Sequence, residues 1–301
     1  MPSYGTFWGV CDSTTRYMSH VAYGLQEMGH DVTCYVDIVV PGDMLNLRHT
    51  NRFDPLEMDI LLTGAGKANE ITRNMPIYIP EAVVTVELEY PQISPAFADG
   101  INGFVVPSYV PPIPISLPFV DRRHRIFIAS PTEVTYDYWQ HFHHPIDRLR
   151  ADSYFHIVTH NRNNRVYELK MDMGIHERYA AHMFVRYDNY IHTWMNWKEY
   201  LFIIATSGIF CRYNWYSDKL SVPEALAYGC IPIFTGDHSY YYDTEDVTLI
   251  SEDQPEEAIY QLLHSILTDS QYEDKSRFLA DKYSARHSIG EVKRALEEIP
   301  F

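Results

Sequence analysis

The chain has 301 residues, 46% hydrophobic and 21% charged, a globular composition with room for two domains. Its 40 acidic and 24 basic residues give a net charge of −16, which repels phosphate backbones and anionic lipid, so nucleic acid is not expected as a partner. No apolar run reaches the ~18–20 residues of a transmembrane span, and no signal-peptide pattern is present. The four scattered cysteines speak against disulfides and structural zinc, so we expect a cytoplasmic protein.

The first hundred residues alternate between strand and helix patterns. A short apolar run at 6–10 predicts a strand, and Asp12 lies in the polar turn that follows. Apolar residues spaced three and four apart predict a helix over 16–28 that ends at Gly29. Further buried strands are predicted at 31–36, 59–63 and 82–86. This alternation predicts a parallel sheet in a Rossmann-like domain.

A proline-rich stretch at 107–118 predicts an extended connection, and a second alternation begins near Tyr154. Ser288 and Glu291 form a possible capping box for a last helix ending near 298. The other elements predicted in this half are strands at 155–159, 200–205, 208–211, 230–234 and 247–250, and helices at 223–228 and 255–267. We expect the domain boundary between Arg125 and Ser153, which gives domains of 1–140 and 141–301. The last helix can cross back to the N-terminal domain.

The segment 217–236 carries the clearest chemical signal. Ser221 is predicted as the N-cap of a short helix, with Pro223 in its first turn and Gly229 past its end. The N–H groups of that turn, with Lys219, suit a phosphate or a ribose hydroxyl. The plainer alternative is a capping box in which Glu224 only satisfies the backbone.

The run from Pro223 to Phe234, "Pro-Glu-Ala-Leu-Ala-Tyr-Gly-Cys-Ile-Pro-Ile-Phe", resembles the donor-binding segment of GT-B glycosyltransferases. The phrase from Gly229 to Ile233, with Asp237 after it, looks most like exostosin-type enzymes, and 25–32 resembles the opening unit of GT-B enzymes. The resemblance implies an α/β fold of two Rossmann-like domains facing a cleft, an N-terminal acceptor domain and a C-terminal donor domain. It also implies that Glu224 binds the ribose of a nucleotide sugar.

Many retaining members of that superfamily carry a second glutamate eight positions earlier, where this chain has Tyr216. This departure favours inversion, which needs a base to deprotonate the acceptor, and Asp12 and Glu89 are the candidates. Sugar rings stack on aromatic faces, so Trp215 and Tyr216, with the tyrosines at 240–242, are predicted to line a groove for a sugar acceptor. The leaving diphosphate needs cations, for which the candidates are Arg162, Arg212 and Lys219.

The sequence therefore predicts a glycosyltransferase that uses a UDP- or GDP-sugar, with a glycan as the expected acceptor and no metal or other cofactor. A metal-dependent transferase of GT-A type is the first alternative, because Glu87-Leu-Glu89 after an apolar strand imitates an acidic metal motif. The second alternative is a nucleotide- or glycan-binding module that has lost catalysis, suggested by Tyr216.

Overall fold

The computed structural model describes residues 13–35, 45–50, 60–64, 82–87, 103–113, 117–128, 144–145, 148–149, 156–160, 190–192, 197–213, 220–235, 242–251 and 253–298. The predicted strand at 6–10 lies outside these ranges. The elements are, in chain order, α1 Ser13–Glu27, β1 Thr33–Tyr35, β2 Arg48–Thr50, β3 Ile60–Gly64, β4 Ala82–Glu87, β5 Gly103–Val105, α2 Phe119–Arg122, β6 Arg125–Ile128, β7 His156–His160, β8 Tyr190–His192, α3 Trp197–Ala205, β9 Ile209–Tyr213, α4 Ser221–Ala227, β10 Ile231–Thr235, a 3₁₀-helix Thr244–Asp246, β11 Thr248–Ile250, α5 Glu256–Thr268, α6 Gln271–Arg286 and α7 Ile289–Glu297.

The chain divides into two compact units, one formed by Met1–Pro111 with Ala285–Phe301 and the other by Pro112–Ser284. The boundary predicted at 140 differs from this division, since it falls inside the second unit. The reason is β6, a strand that the sequence pattern does not predict. Its residues pair with both β7 and β9, so the second unit starts within the proline-rich connection.

In the first unit the described strands pair in parallel, β1 with β2, and β3 with β4 and β5. Helices α1 and α7 pack closely because α1 carries Gly24, where a Cβ would lie 2.7 Å from Val292 Cγ1. The capping box predicted for α7 is confirmed, since the Ser288 hydroxyl accepts a hydrogen bond from the Glu291 N–H at 3.4 Å.

The second unit contains a parallel sheet whose strands lie in the order β11-β10-β9-β6-β7-β8. The chain runs outward from β6 to β8 on one side, returns to place β9 beside β6, and then runs outward to β11 on the other. This is the strand order of the doubly wound Rossmann fold, with the reversal between β6 and β9. The α/β class with a parallel sheet, predicted from the alternating pattern, is confirmed.

The core of this sheet includes an aromatic row on neighbouring strands. Phe127, Phe210 and Phe234 are each fully buried, and their successive ring centroids lie 5.9 and 5.7 Å apart. Residues that alternate with them, such as Ile126 and Ile209, are also buried. Burial on both faces explains why these strands have continuous apolar sequences.

The apolar run at 200–205 was predicted as a strand, and this prediction is wrong: it belongs to helix α3. A short apolar run fits a buried strand and a buried helix equally well, and here the parallel pairing of the sheet requires a crossover before β9. Helix α6 was not predicted at all, because only Ser276, Leu279 and Tyr283 are buried along its length and its pattern is weak. No helix among the described residues is both long and apolar enough to cross a membrane.

Candidate functional site

The candidate site lies at the carboxyl edge of the sheet in the second unit. At this edge Ile128 of β6 pairs with Cys211 of β9, and β9 continues to Tyr213, which pairs with Thr235 of β10. In open α/β sheets, ligands bind outside the carboxyl ends of the strands at the point where the strand order reverses. That point lies between the ends of β6 and β9, so the segments that leave these two strands are expected to contact a ligand.

Helix α4 follows β9 and therefore begins at this carboxyl edge. Its first intrahelical bond runs from the Glu224 N–H to the Leu220 carbonyl at 3.2 Å. Pro223 lies in the first turn, where its missing N–H costs no helical bond, as predicted. The helix ends in a Schellman motif: Gly229 has φ +70, and the Cys230 N–H bonds to the Ala225 carbonyl at 2.9 Å. The predicted terminating glycine is confirmed.

The N-cap of α4 is Leu220 and not Ser221, so the prediction for Ser221 is corrected. Leu220 has no capping side chain, and Ser221 is the first helical residue. The Glu224 N–H bonds to the Leu220 carbonyl, and Ser221 and Glu224 both have further interaction partners in the chain, so the capping-box alternative stays a prediction. The N-cap signal failed because Ser-x-x-Glu marks a helix start only to within a residue or two.

Glu224 is the best described of the predicted site residues. It lies in the first turn of α4, and only 1% of its surface is exposed. Ser221, fully buried, is beside it, and neither residue is without an interaction partner in the chain. A buried carboxylate is costly unless it is paired or hydrogen-bonded, so a buried glutamate in this turn is a candidate for a binding role.

The other predicted site residues are only partly placed. The backbone of Arg212 lies in β9, one residue before its carboxyl end, and pairs with Phe234. Glu87 is the last residue of β4 in the first unit. The remaining candidates lie outside the described residues, and their roles stay predictions: Asp12, Glu89, Arg162, Tyr216 and Lys219. Among the described residues, no group of three or more His, Cys, Asp or Glu side chains is placed to hold a metal ion.

The tyrosines at 240–242 were predicted to line a sugar-binding groove, and for Tyr242 this is wrong. Its side chain is 3% exposed and packs edge-on against Phe234, with ring centroids 5.1 Å apart. Tyr242 therefore belongs to the core. Tyr240 and Tyr241 lie outside the described residues.

A buried arginine that no sequence pattern predicts lies at the opposite, amino edge of this sheet. Arg122 is 7% exposed, and its Nη1 donates to the Ser207 carbonyl at 2.8 Å while its Nη2 donates to the Gly229 carbonyl at 3.3 Å. These carbonyls follow the ends of α3 and α4, where the helix dipole is negative, so they offset the buried charge. The only sequence signal was its place in a basic run after the prolines.

The thiol of Cys230 lies beside this arginine and is fully buried. Its Sγ donates to the Ser207 carbonyl at 3.2 Å. Burial raises the pKa of the Cys230 thiol to about 11, although Arg122 acts in the opposite direction. Cys230 is therefore a protonated packing residue and not a nucleophile.

A second polar network also lies at the amino edge, just before β11. The Asp246 carboxylate accepts hydrogen bonds from Lys282 Nζ at 2.7 Å and from the Tyr283 hydroxyl at 2.8 Å. Burial is the main cause that raises the pKa of the Tyr283 phenol. This network ties α6 to the segment that enters β11. It lies at the end of the strands opposite to the edge where ligands bind, so we interpret it as a stabilising contact.

No model of a known protein family matches the sequence, and no curated protein has significant similarity to it. Solved structures with weak likeness include the pneumococcal O-GlcNAc transferase GtfA in complex with UDP and GlcNAc (14% identity, TM-score 0.47, 80% of this chain and 44% of that one). Two others are TarM (10%, 0.48, 77% and 44%) and an alpha-glucosyltransferase in complex with UDP and a 13-mer DNA containing an HMU base (12%, 0.49, 77% and 77%).

The aligned part of GtfA and of TarM is 44% of each, so the present chain spans less than half of their length.

Proposed function

We propose that this chain is a glycosyltransferase of GT-B type that transfers a sugar from a nucleotide donor to a hydroxyl acceptor, most simply a glycan. The observation that carries the proposal is the doubly wound sheet of the second unit, in which the helix leaving the switch strand β9 holds Glu224 in its first turn. The exostosin-like character of the segment 229–233 belongs to the same proposal and rests on sequence resemblance.

The topology supports nucleotide binding by the second unit. In the doubly wound order, a nucleotide lies across the crevice at the reversal, with its phosphates near the start of the helix that follows a central strand. Strand β9 borders the reversal and leads into α4. The segment that resembles the GT-B donor site thus occupies the position at which this fold binds nucleotides.

Glu224 is proposed as the ribose ligand. Its backbone N–H is bonded to the Leu220 carbonyl, and its side chain is buried in the first turn of α4. A carboxylate accepts charge-assisted hydrogen bonds from both hydroxyls of a ribose. Since Glu224 is 1% exposed, we infer that its bonds to a ribose replace one of its contacts within the chain.

We further propose that cations, and no metal, offset the charge of the leaving diphosphate. Arg212 is one residue from the carboxyl end of β9, which is the edge where the diphosphate would lie. Arg162 and Lys219 complete the proposed set by sequence, and Tyr216 is proposed to contact the donor. The acceptor base is proposed to be Asp12 or Glu89, and the cytoplasm the location of the reaction.

The first test is nucleotide binding by calorimetry, with UDP and GDP titrated into the wild type, Glu224→Gln and Glu256→Gln. Glu256 is a matched control because it is an exposed glutamate in the first turn of another helix of the same unit. We expect Glu224→Gln to weaken binding by ~1–3 kcal/mol, since the amide replaces the charged acceptor only in part, while Glu256→Gln binds as the wild type does. Equal binding by all three would remove Glu224 from the donor site.

The second test is transfer itself, measured as sugar released from nucleotide-sugar donors with and without glycan acceptors. Activity that survives EDTA is expected. Loss of activity with EDTA and its recovery with a divalent cation would favour the metal-dependent alternative built on Glu87 and Glu89. Nucleotide binding without transfer or donor hydrolysis would instead favour the binding module.

A further inference from the structure

The C-terminal end of α4 is anchored by buried hydrogen bonds to two side chains. The Gly229 carbonyl, just past the helix, accepts hydrogen bonds from Ser276 Oγ at 2.6 Å and from Arg122 Nη2 at 3.3 Å. Arg122 Nη2 also donates to Ser276 Oγ at 3.1 Å. All three residues are buried, so these bonds do not compete with water.

The contact between Gly229 and α6 leaves no space for the helix to shift. A Cβ added at Gly229 would lie 2.5 Å from the Ser276 carbonyl oxygen, so the two backbones are in direct contact. Arg122 Nη1 ties the same point to the Ser207 carbonyl, which precedes β9. The end of α4 is therefore fixed against α6 on one side and against the entry to the switch strand on the other.

The anchored end and Glu224 are separated by about one helical turn. The Tyr228 N–H donates to the Glu224 carbonyl at 3.1 Å, and α4 has only seven residues. A helix this short moves as a rigid body, because a bend would break several of its few backbone bonds. Any displacement of Gly229 is thus passed to the Glu224 carboxylate.

We infer that Arg122 and Ser276 are positioning residues for the donor site: they hold α4 along its axis and so set the place of Glu224. This inference rests on the proposed role of Glu224 in nucleotide binding. Binding groups must be held to within about 0.5 Å to function, and an anchor at the other end of a two-turn helix supplies that constraint. Both residues bond to the Gly229 carbonyl at the C-terminal end of α4, and neither is proposed to contact the nucleotide.

The test compares Ser276→Ala with Ser265→Ala in UDP and GDP titrations. Ser265 is the control, since its hydroxyl also donates to a carbonyl, that of Leu262 in α5, at 2.7 Å, and lies 3.2 Å from the Tyr272 hydroxyl of α6, and neither of these partners belongs to α4. We expect Ser276→Ala to raise the nucleotide Kd by about 3- to 10-fold and Ser265→Ala to change it by less than about twofold. Arg122→Lys keeps the charge but loses the planar fork, and it should weaken binding further if it folds.

A double-mutant cycle separates positioning from general destabilisation. If Ser276 acts through Glu224, then Ser276→Ala should have less than about a twofold effect in the Glu224→Gln background. Additive losses, or a loss in Ser265→Ala as large as in Ser276→Ala, would overturn the inference.

Amide hydrogen exchange supplies a readout that does not depend on nucleotide. Ser276→Ala should speed exchange at the Gly229 and Cys230 amides relative to those of α5, and unchanged protection there would overturn the anchor. If the wild type binds no nucleotide, the proposed function fails, while this measurement still decides whether Ser276 holds α4.

Discussion

Replacing Gly229 with alanine tests how closely α4 approaches α6. Gly229 has φ +70, and its Cβ would meet the Ser276 carbonyl oxygen at 2.5 Å and Ser276 Oγ at 2.9 Å. Gly29 ends α1 with the same motif, since the His30 N–H bonds to the Leu25 carbonyl at 3.2 Å. Its φ is +94, but nothing lies within 4 Å of its Cβ, so the pair separates backbone strain from collision.

The expected losses of stability follow from backbone strain and from steric collision. An alanine in the left-handed region lowers the free energy of unfolding by ~1–2 kcal/mol, and the reduced freedom of the unfolded chain offsets ~0.4–1 kcal/mol of this loss. Gly29→Ala should therefore lower the free energy of unfolding by about 1 kcal/mol or less. Gly229→Ala carries in addition the overpacking of a backbone contact, ~1–3 kcal/mol, for a total of ~2–4 kcal/mol.

The assay is urea unfolding followed by far-UV circular dichroism. Gly290→Ala provides a control of opposite sign, because Gly290 is an exposed helical residue whose Cβ would lie 3.7 Å from its nearest neighbour, Ser288 Oγ. The free energy of unfolding of that variant should rise by up to ~1 kcal/mol, because alanine has a higher helix propensity than glycine. A loss for Gly229→Ala no larger than for Gly29→Ala would refute the close contact between α4 and α6.

Two further predictions concern buried titratable groups. His287 is 4% exposed, its Nδ1 lies 3.0 Å from the Ser108 carbonyl, and burial lowers its pKa to about 4, against 6.5 unfolded. As the pH falls, the unfolded chain binds the proton before the folded chain does, so this residue should lower the free energy of unfolding by roughly 2 kcal/mol between pH 7 and pH 5. In urea titrations, His287→Asn should make the free energy of unfolding less dependent on pH over this range. An equal dependence on pH in both proteins would contradict the lowered pKa. Since the pKa of Cys230 is raised to about 11 by burial, its labelling by a thiol reagent at pH 8, followed by peptide mapping, should occur only at the rate of opening, and rapid labelling of the native protein would show that the thiol is accessible.

Much of the local structure could be predicted from sequence, because it depends on neighbouring residues. Helix α1 follows from its apolar spacing and Gly29, and the start of α7 from Ser288 and Glu291. The strands at β3, β4 and β10 follow from apolar runs bounded by turn residues. Glu224 was found through a segment pattern, and the structure places it in the first turn of a helix as expected.

Other features depended on partners distant in sequence. The run 200–205 is apolar enough for either a strand or a helix, and the need to cross over between parallel strands decided for helix α3. Strand β6 is four residues long and exists because β7 and β9 flank it. Its recruitment also moved the domain boundary away from 140.

By itself, the sequence determined which segments are helical or extended wherever periodicity and end signals agree, since those signals act over one or two turns of chain. The tertiary structure alone decided the order of the strands, and with it the edge at which α4 and Glu224 lie. It alone revealed Arg122 as an anchor, because a buried guanidinium is stabilised by carbonyls that precede two different strands and stand more than eighty residues away. Such contacts form only once the sheet is assembled, and no local pattern encodes them.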